Sequence, residues 1–157
     1  GFKRLAAQVP EARLEIVGDN RTNPRVEIDQ LIAASGVSDR VHWRSYIADD
    51  DLAALYASAS AFTFLSEYEG FGLTPLEAMV AGIPIIVLDT PIAREIYGAA
   101  AIYLDRPDPD LIANALERVF TRADERERLI GAGLLQVQRY SWDECALPTL
   151  QVILATG

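Results

Sequence analysis

Apolar residues along the chain switch between two spacings, and the switches mark alternating strands and helices. ARLEIVG over 12–18, RVHW over 40–43, AFTFL over 61–65, IPIIVL over 83–88 and AAIYL over 100–104 are apolar runs of strand length. Between them the spacing is helical. Val26, Ile28, Leu31 and Ile32 precede the stop signal Gly36, which predicts a helix over 25–36. Asp49, Asp50 and Asp51 open a second helix, with Leu52, Leu55 and Tyr56 on one face. Further helices are predicted over 74–82, 91–97, 108–121, 123–139 and 142–154. In the last of these Trp142 is expected to anchor the helix and Pro148 to kink it. Residues 1–10 read as a helix already under way, so further chain is expected before Gly1.

Strands that alternate with helices predict a parallel sheet with right-handed crossovers. AFTFL and IPIIVL are apolar on both alternating faces, as strands covered on both sides must be. The expected fold is α/β: one domain over residues 1–157 with a single doubly wound parallel sheet, Rossmann-like. Such sheets bind ligands at the carboxyl ends of their strands. That edge should carry the loops 18–24, 44–49, 65–74, 88–91 and 104–108.

Composition narrows the partners. Half of the 157 residues are hydrophobic, an ordinary globular share. A net charge of −9 argues against nucleic acid, whose binding needs clustered Lys and Arg. One histidine (His42) and one cysteine (Cys145) argue against a zinc site and rule out an internal disulfide. His42, on a short apolar strand, is expected to pack or face solvent. The longest apolar runs are too short to span a bilayer and no signal-peptide pattern opens the chain. The expected location is the cytoplasm, free or at the cytoplasmic membrane face.

The chemistry concentrates in EGFGLTPLE, residues 69–77, directly after the strand AFTFL. Thr74 suits a helix N-cap, Pro75 the first helical position, and Glu77 the third, which completes a capping-box pattern. Glu77 thus has two readings, as a cap or as a ligand group. Gly70 and Gly72 strip side chains from the approach to the helix. The amides of Gly72, Leu73 and Thr74 would then face an open crevice, suited to phosphate oxygens. A tight turn is the plainer reading of the glycines. Glu69 has no capping role. Beside an anion site a carboxylate needs hydrogen-bond donors, and sugar hydroxyls are natural ones; a solvated loop glutamate is the alternative.

The stretch Glu69-Gly70-Phe71-Gly72-Leu73-Thr74-Pro75-Leu76-Glu77-Ala78-Met79, followed by Ala81-Gly82-Ile83-Pro84, resembles the E-x7-E motif of the retaining family 4 glycosyltransferases of GT-B fold. VGDN at 17–20, DDDLAALYASASAFTFLSEYEGFG, PIAREIYGAAAIYLDRPDPDLIANAL and the closing RYSWDECA resemble further blocks of the same family in the same order. The resemblance covers nearly the whole chain and is to the donor-binding, C-terminal half.

It implies the following roles. Glu69 would touch the hydroxyls of the transferred sugar and Glu77 the ribose of the nucleotide. The backbone of Gly70, Phe71, Gly72, Leu73 and Thr74 would meet the sugar and diphosphate. Gly18 sits at the strand end that resembles the family's V-G-D/E-G. The loop around Tyr46 and Ile47 is similar to the family's main-chain site for the base. The donor would be a nucleoside-diphosphate sugar and no metal or other cofactor is expected. The acceptor, a glycan, lipid or small molecule, would be held by an N-terminal half outside this sequence, and any peripheral membrane contact would belong to the full-length protein.

Several positions depart from the pattern. The family's Arg and Lys that neutralise the diphosphate belong to a loop some twenty residues before Gly1. Lys3 and Arg4 read as solvated helix charges. Leu65-Ser66 stands where the family has Pro-Ser, and Pro91 to Glu95 replaces its Pro-Glu. The isolated chain is therefore expected to be inactive. A non-catalytic nucleotide-binding or interaction module of the same fold is the alternative. A receiver-type domain is disfavoured, because AFTFLSEYEG offers no strand-end aspartate.

Overall fold

The computed structural model describes residues 1–156, with the side chain of Thr156 left aside. Five strands alternate with helices in the order α1 (Phe2–Gln8), β1 (Leu14–Val17), α2 (Ile28–Ala34), β2 (Val41–Arg44), α3 (Asp49–Ser58), β3 (Phe62–Phe64), α4 (Leu73–Val80), β4 (Ile85–Leu88), α5 (Pro91–Tyr97), β5 (Ala101–Leu104), α6 (Pro109–Thr121), α7 (Ala123–Val137) and α8 (Trp142–Thr156). Every predicted strand and helix is present, with ends shifted by a few residues.

All strand pairs are parallel, as the alternation requires. The ladder is divided, however. β1 pairs with β2, and β3, β4 and β5 form a separate three-stranded ladder in that order. The expected single continuous sheet is thus two parallel ladders. Among the described residues β1 pairs only with β2, and β3 only with β4. Helix α1 joins the two parts, since Leu5 packs into the core under β4 and β5 while Ala6 packs with Val37 and Val41 beside β2.

β4 is the centre of the core. All four of its residues are buried. Ile85 and Val87 face Leu76, Met79, Ile96 and Tyr97 of α4 and α5, while Ile86 and Leu88 face Leu5, Leu116 and Leu129 of α1, α6 and α7. Burial of each such side chain contributes about 1.5–3 kcal/mol, so this strand fixes where the loops on either side of it emerge. Helix starts follow local chemistry. The Asp108 carboxylate accepts from the amides of Asp110 (2.8 Å) and Leu111 (3.2 Å) ahead of Pro109-led α6. Thr90 accepts from Ala93 N at 3.1 Å to open α5.

The last helix differs from its expectation. Ser141 caps it, accepting from Glu144 N at 3.1 Å, and Pro148 lies within it. Trp142 does not anchor it: the indole is 79% exposed, because residues 141–155 all lie on the surface and offer it no wall to pack on. Lys3 and Arg4 do lie in α1, where Arg4 pairs with Asp110 of α6.

Candidate functional site

Strands β3, β4 and β5 all point their carboxyl ends the same way, and the loop 65–72 leaves β3 at that edge. Helix α4 begins at Leu73, not at Pro75. Its N-cap is Gly72, in the left-handed region at φ 86° and ψ 65°, and no side chain caps it. The capping box expected of Thr74 and Glu77 is therefore not formed. Thr74 lies inside the first turn, and Glu77 is too far along the helix to reach back to the cap.

The start of α4 is set from the neighbouring helix instead. The Tyr97 hydroxyl, from α5, donates to the Gly72 carbonyl at 2.9 Å. Tyr97 is 3% exposed. A Cβ on Gly72 would overlap that hydroxyl, so the closeness of the contact and the backbone angle both demand glycine. Tyr97 is in turn held at its own helix end: Ile96 O accepts from Gln136 Nε2 (2.6 Å) and from the Tyr140 hydroxyl (3.1 Å). Phe71 packs edge-on against the Tyr140 ring, centroids 5.5 Å apart. The glycine-flanked loop is thereby tied to α5 and to the end of α7. The amides of Leu73 and Thr74 have no hydrogen-bond acceptor among the described residues. They form an open helix mouth of positive potential.

Glu69 lies half-buried beside this mouth and lines a hollow with Phe64, Ser66, Thr90, Ala93 and Tyr97. Counting its open mouth the hollow measures about 250 Å³. Almost all of that is open to solvent; the enclosed space is about 10 Å³, room for about one water, so the hollow is a shallow one. Glu77 does not share it. Its carboxylate turns towards α3, where the Tyr56 hydroxyl donates to Oε2 at 3.2 Å. The two acids, expected on either side of one crevice, diverge across the first turns of α4. Gly70 is exposed, and Gly18, Tyr46 and Ile47 lie at the ends of the other ladder. There Gly18 N donates to Arg44 O (3.0 Å), and Gly18 O accepts from Trp43 Nε1 (3.0 Å). The start of the loop after β1 is thus tied to the end of β2, and Tyr46, just beyond, is 80% exposed.

His42 and Arg44 both bond the Glu15 carboxylate at 2.8 Å on the surface of this ladder. Arg94 is bidentate to Asp89 (2.6 and 2.7 Å) and lies over the Tyr103 ring at 3.8 Å. These contacts are structural. Tyr56, Tyr97 and Tyr140 contact the candidate site and were missed by sequence reasoning. Tyr56 showed only as one apolar position on a helix face, and nothing in the pattern marked Tyr97 or Tyr140.

Burial, then the Glu69 charge and the nearby tyrosines, pushes Tyr97 up to about 12. Burial, then the Glu77 charge and its hydrogen bond, does the same for Tyr56, to about 12. In the unfolded chain both ionise near 10.0. The fold favours the protonated phenols, so their contribution is complete below about pH 10 and fades as pH rises towards about 12. Urea midpoints measured at steps across that range should fall with pH, and Tyr97→Phe should flatten the fall. An unchanged slope in the variant would contradict this account of Tyr97.

Among the described residues no helix is long and apolar enough to cross a membrane. Set beside known proteins, the sequence matches the profile described as Glycosyl transferases group 1 over residues 1–135. The chain belongs to the group 1 glycosyl transferases. Within that family it is 33% identical over 121 residues to O-antigen chain mannosyltransferase B of Escherichia coli, covering 77% of this chain and 32% of that protein. It is 33% identical over 139 residues to mannosylfructose-phosphate synthase of Agrobacterium fabrum, covering 83% of this chain and 30% of that protein. Its fold superimposes on a sucrose-phosphate synthase from Thermosynechococcus elongatus with a TM-score of 0.82 at 26% identity, covering 99% of this chain and 42% of the other. This group 1 chain thus spans about a third of the length of the curated relatives it matches. Its fold is the Rossmann-like half of the GT-B glycosyltransferases.

Proposed function

We propose that this chain is the donor-binding part of a longer retaining glycosyltransferase, which moves a hexose from a nucleoside-diphosphate sugar to a hydroxyl acceptor. The observation that carries the reading is the uncapped mouth of α4, held open by Gly72 and Tyr97, with Glu69 in the hollow beside it. The Leu73 and Thr74 amides meet the diphosphate, and their fixed dipoles stabilise the negative charge that grows there as the bond to the anomeric carbon breaks. Glu69 accepts hydrogen bonds from the sugar hydroxyls and holds the ring in place. Glu77, one turn along α4 on the other side, takes the ribose hydroxyls. Sugar and ribose are attached to opposite ends of the diphosphate, so a ligand of this shape suits acids that diverge across a phosphate site. The base lies towards the loops at Gly18, Tyr46 and Ile47. No general base is assigned within this chain, and no metal is called for. The acceptor, a glycan, lipid or small molecule, belongs to the remainder of the protein, which works in the cytoplasm or at its membrane face.

Calorimetric titration of the full-length protein with UDP, GDP and ADP tests the reading. One of the three should bind, and Glu77→Gln should weaken it about tenfold, as loss of a charged hydrogen-bond acceptor does. The isolated chain should bind weakly, its hollow being only part of a cleft. Absence of binding by all three to the full-length protein would overturn the assignment.

A further inference from the structure

Glu77 is an exposed side chain on a helix surface. Left alone, such a glutamate samples many rotamers and makes a poor fixed acceptor. Here it is not alone. Tyr56 reaches it from α3, and this is the bond the carboxylate makes among the described residues. Tyr56 is itself fixed. Its ring is half-buried and packs tilted on Phe62 at 6.0 Å, and Phe62 stacks on Phe64 at 6.2 Å. Phe62 and Phe64 belong to β3, the strand that leads into the Glu69 loop. One aromatic row therefore references Glu77 to the same strand that places Glu69.

We propose that Tyr56 is a positioning residue for donor binding: its hydroxyl holds Oε2 of Glu77 so that Oε1 faces the ribose as a preset acceptor. A phenol has one proton to give, and it goes to Oε2. Oε1 keeps its lone pairs for a vicinal diol. Because α4 begins at Leu73, Glu77 lies too far along the helix for its carboxylate to be drawn back to the helix end. Tyr56 also stays protonated throughout the neutral range, so the donor is always present. Orientation of a first contact by a second residue is how fixed geometry is kept at a surface site. The inference rests on Glu77 meeting the ribose.

The test is a cycle in the full-length protein: wild type, Tyr56→Phe, Glu77→Ala and the double variant. Each is titrated with UDP, GDP and ADP and with the 2′,3′-dideoxy form of whichever binds. Tyr56→Phe keeps the ring packing and should melt close to wild type. It should weaken the ribonucleotide about five- to tenfold and leave the dideoxy probe unaffected. In the Glu77→Ala background it should add less than about twofold, since its effect passes through that carboxylate. If Glu77→Ala binds as wild type does, the ribose assignment falls and takes this inference with it. If Glu77→Ala weakens binding while Tyr56→Phe does not, the inference alone is overturned. It is overturned equally if Tyr56→Phe weakens both probes alike, or multiplies fully with Glu77→Ala.

Discussion

Gly72→Ala should destabilise the chain by about 2–4 kcal/mol, from left-handed backbone strain together with the broken hydrogen bond of a buried hydroxyl. Both costs trace to one place. Gly72 sits at φ 86°, where a Cβ is disfavoured, and that Cβ would overlap the Tyr97 hydroxyl. Tyr97 has little room to retreat, because it is buried and its helix end is fixed through Ile96 O by Gln136 and Tyr140. The two contributions can be separated. In a Tyr97→Phe background the hydroxyl is gone, so Gly72→Ala should cost less there, leaving mainly the backbone strain. Urea denaturation of the four forms measures this directly. A loss below about 0.5 kcal/mol for Gly72→Ala, the range of neutral surface changes, would show that the mouth of α4 is not held as described.

The second large effect is on turnover. Glu69→Ala in the full-length protein should lower kcat on the order of 100-fold, the scale seen when one preorganised contact to the reacting group is lost. The change in stability should stay within about 0.5 kcal/mol. The side chain is only half-buried and makes no side-chain hydrogen bond among the described residues, so the fold loses little with it. Steady-state rates with a panel of nucleotide sugars, beside thermal melts, give both numbers. A variant that is unstable and merely proportionately less active would mean that Glu69 supports the loop and not the sugar.

The sequence was most legible where apolar spacing or a capping side chain decides structure. IPIIVL announced a strand covered on both sides, and β4 is buried throughout. The helix expected over 108–121 is present as Pro109–Thr121, capped by the Asp108 carboxylate. EGFGLTPLE drew attention to the turn between β3 and α4. What it hid was the partner of each group in it. Thr74-Pro75-Leu76-Glu77 has the spacing of a capping box, yet Tyr97, 25 residues after Gly72, fixes the helix start, and Tyr56, 21 residues before Glu77, takes its carboxylate. Such contacts come from how α3 and α5 flank α4, and no local pattern encodes them. Trp142 was misjudged for a related reason. A large apolar ring after a serine cap suggests an anchor, but whether a wall exists to receive it depends on distant chain.

The division of the strands into two ladders bears on how the crevice yields. β4 and its neighbours are clamped between cores on both faces, whereas β1 alternates half-buried and exposed residues over a cluster of three buried side chains. Local opening follows burial and backbone pairing, so the half carrying Gly18, Tyr46 and Ile47 should breathe more readily than the half carrying Gly72. A ligand laid across both would meet a stiff seat under its phosphates and a forgiving one under its ring of nitrogens. Tolerance for different bases could then evolve at the soft end without disturbing the stiff one.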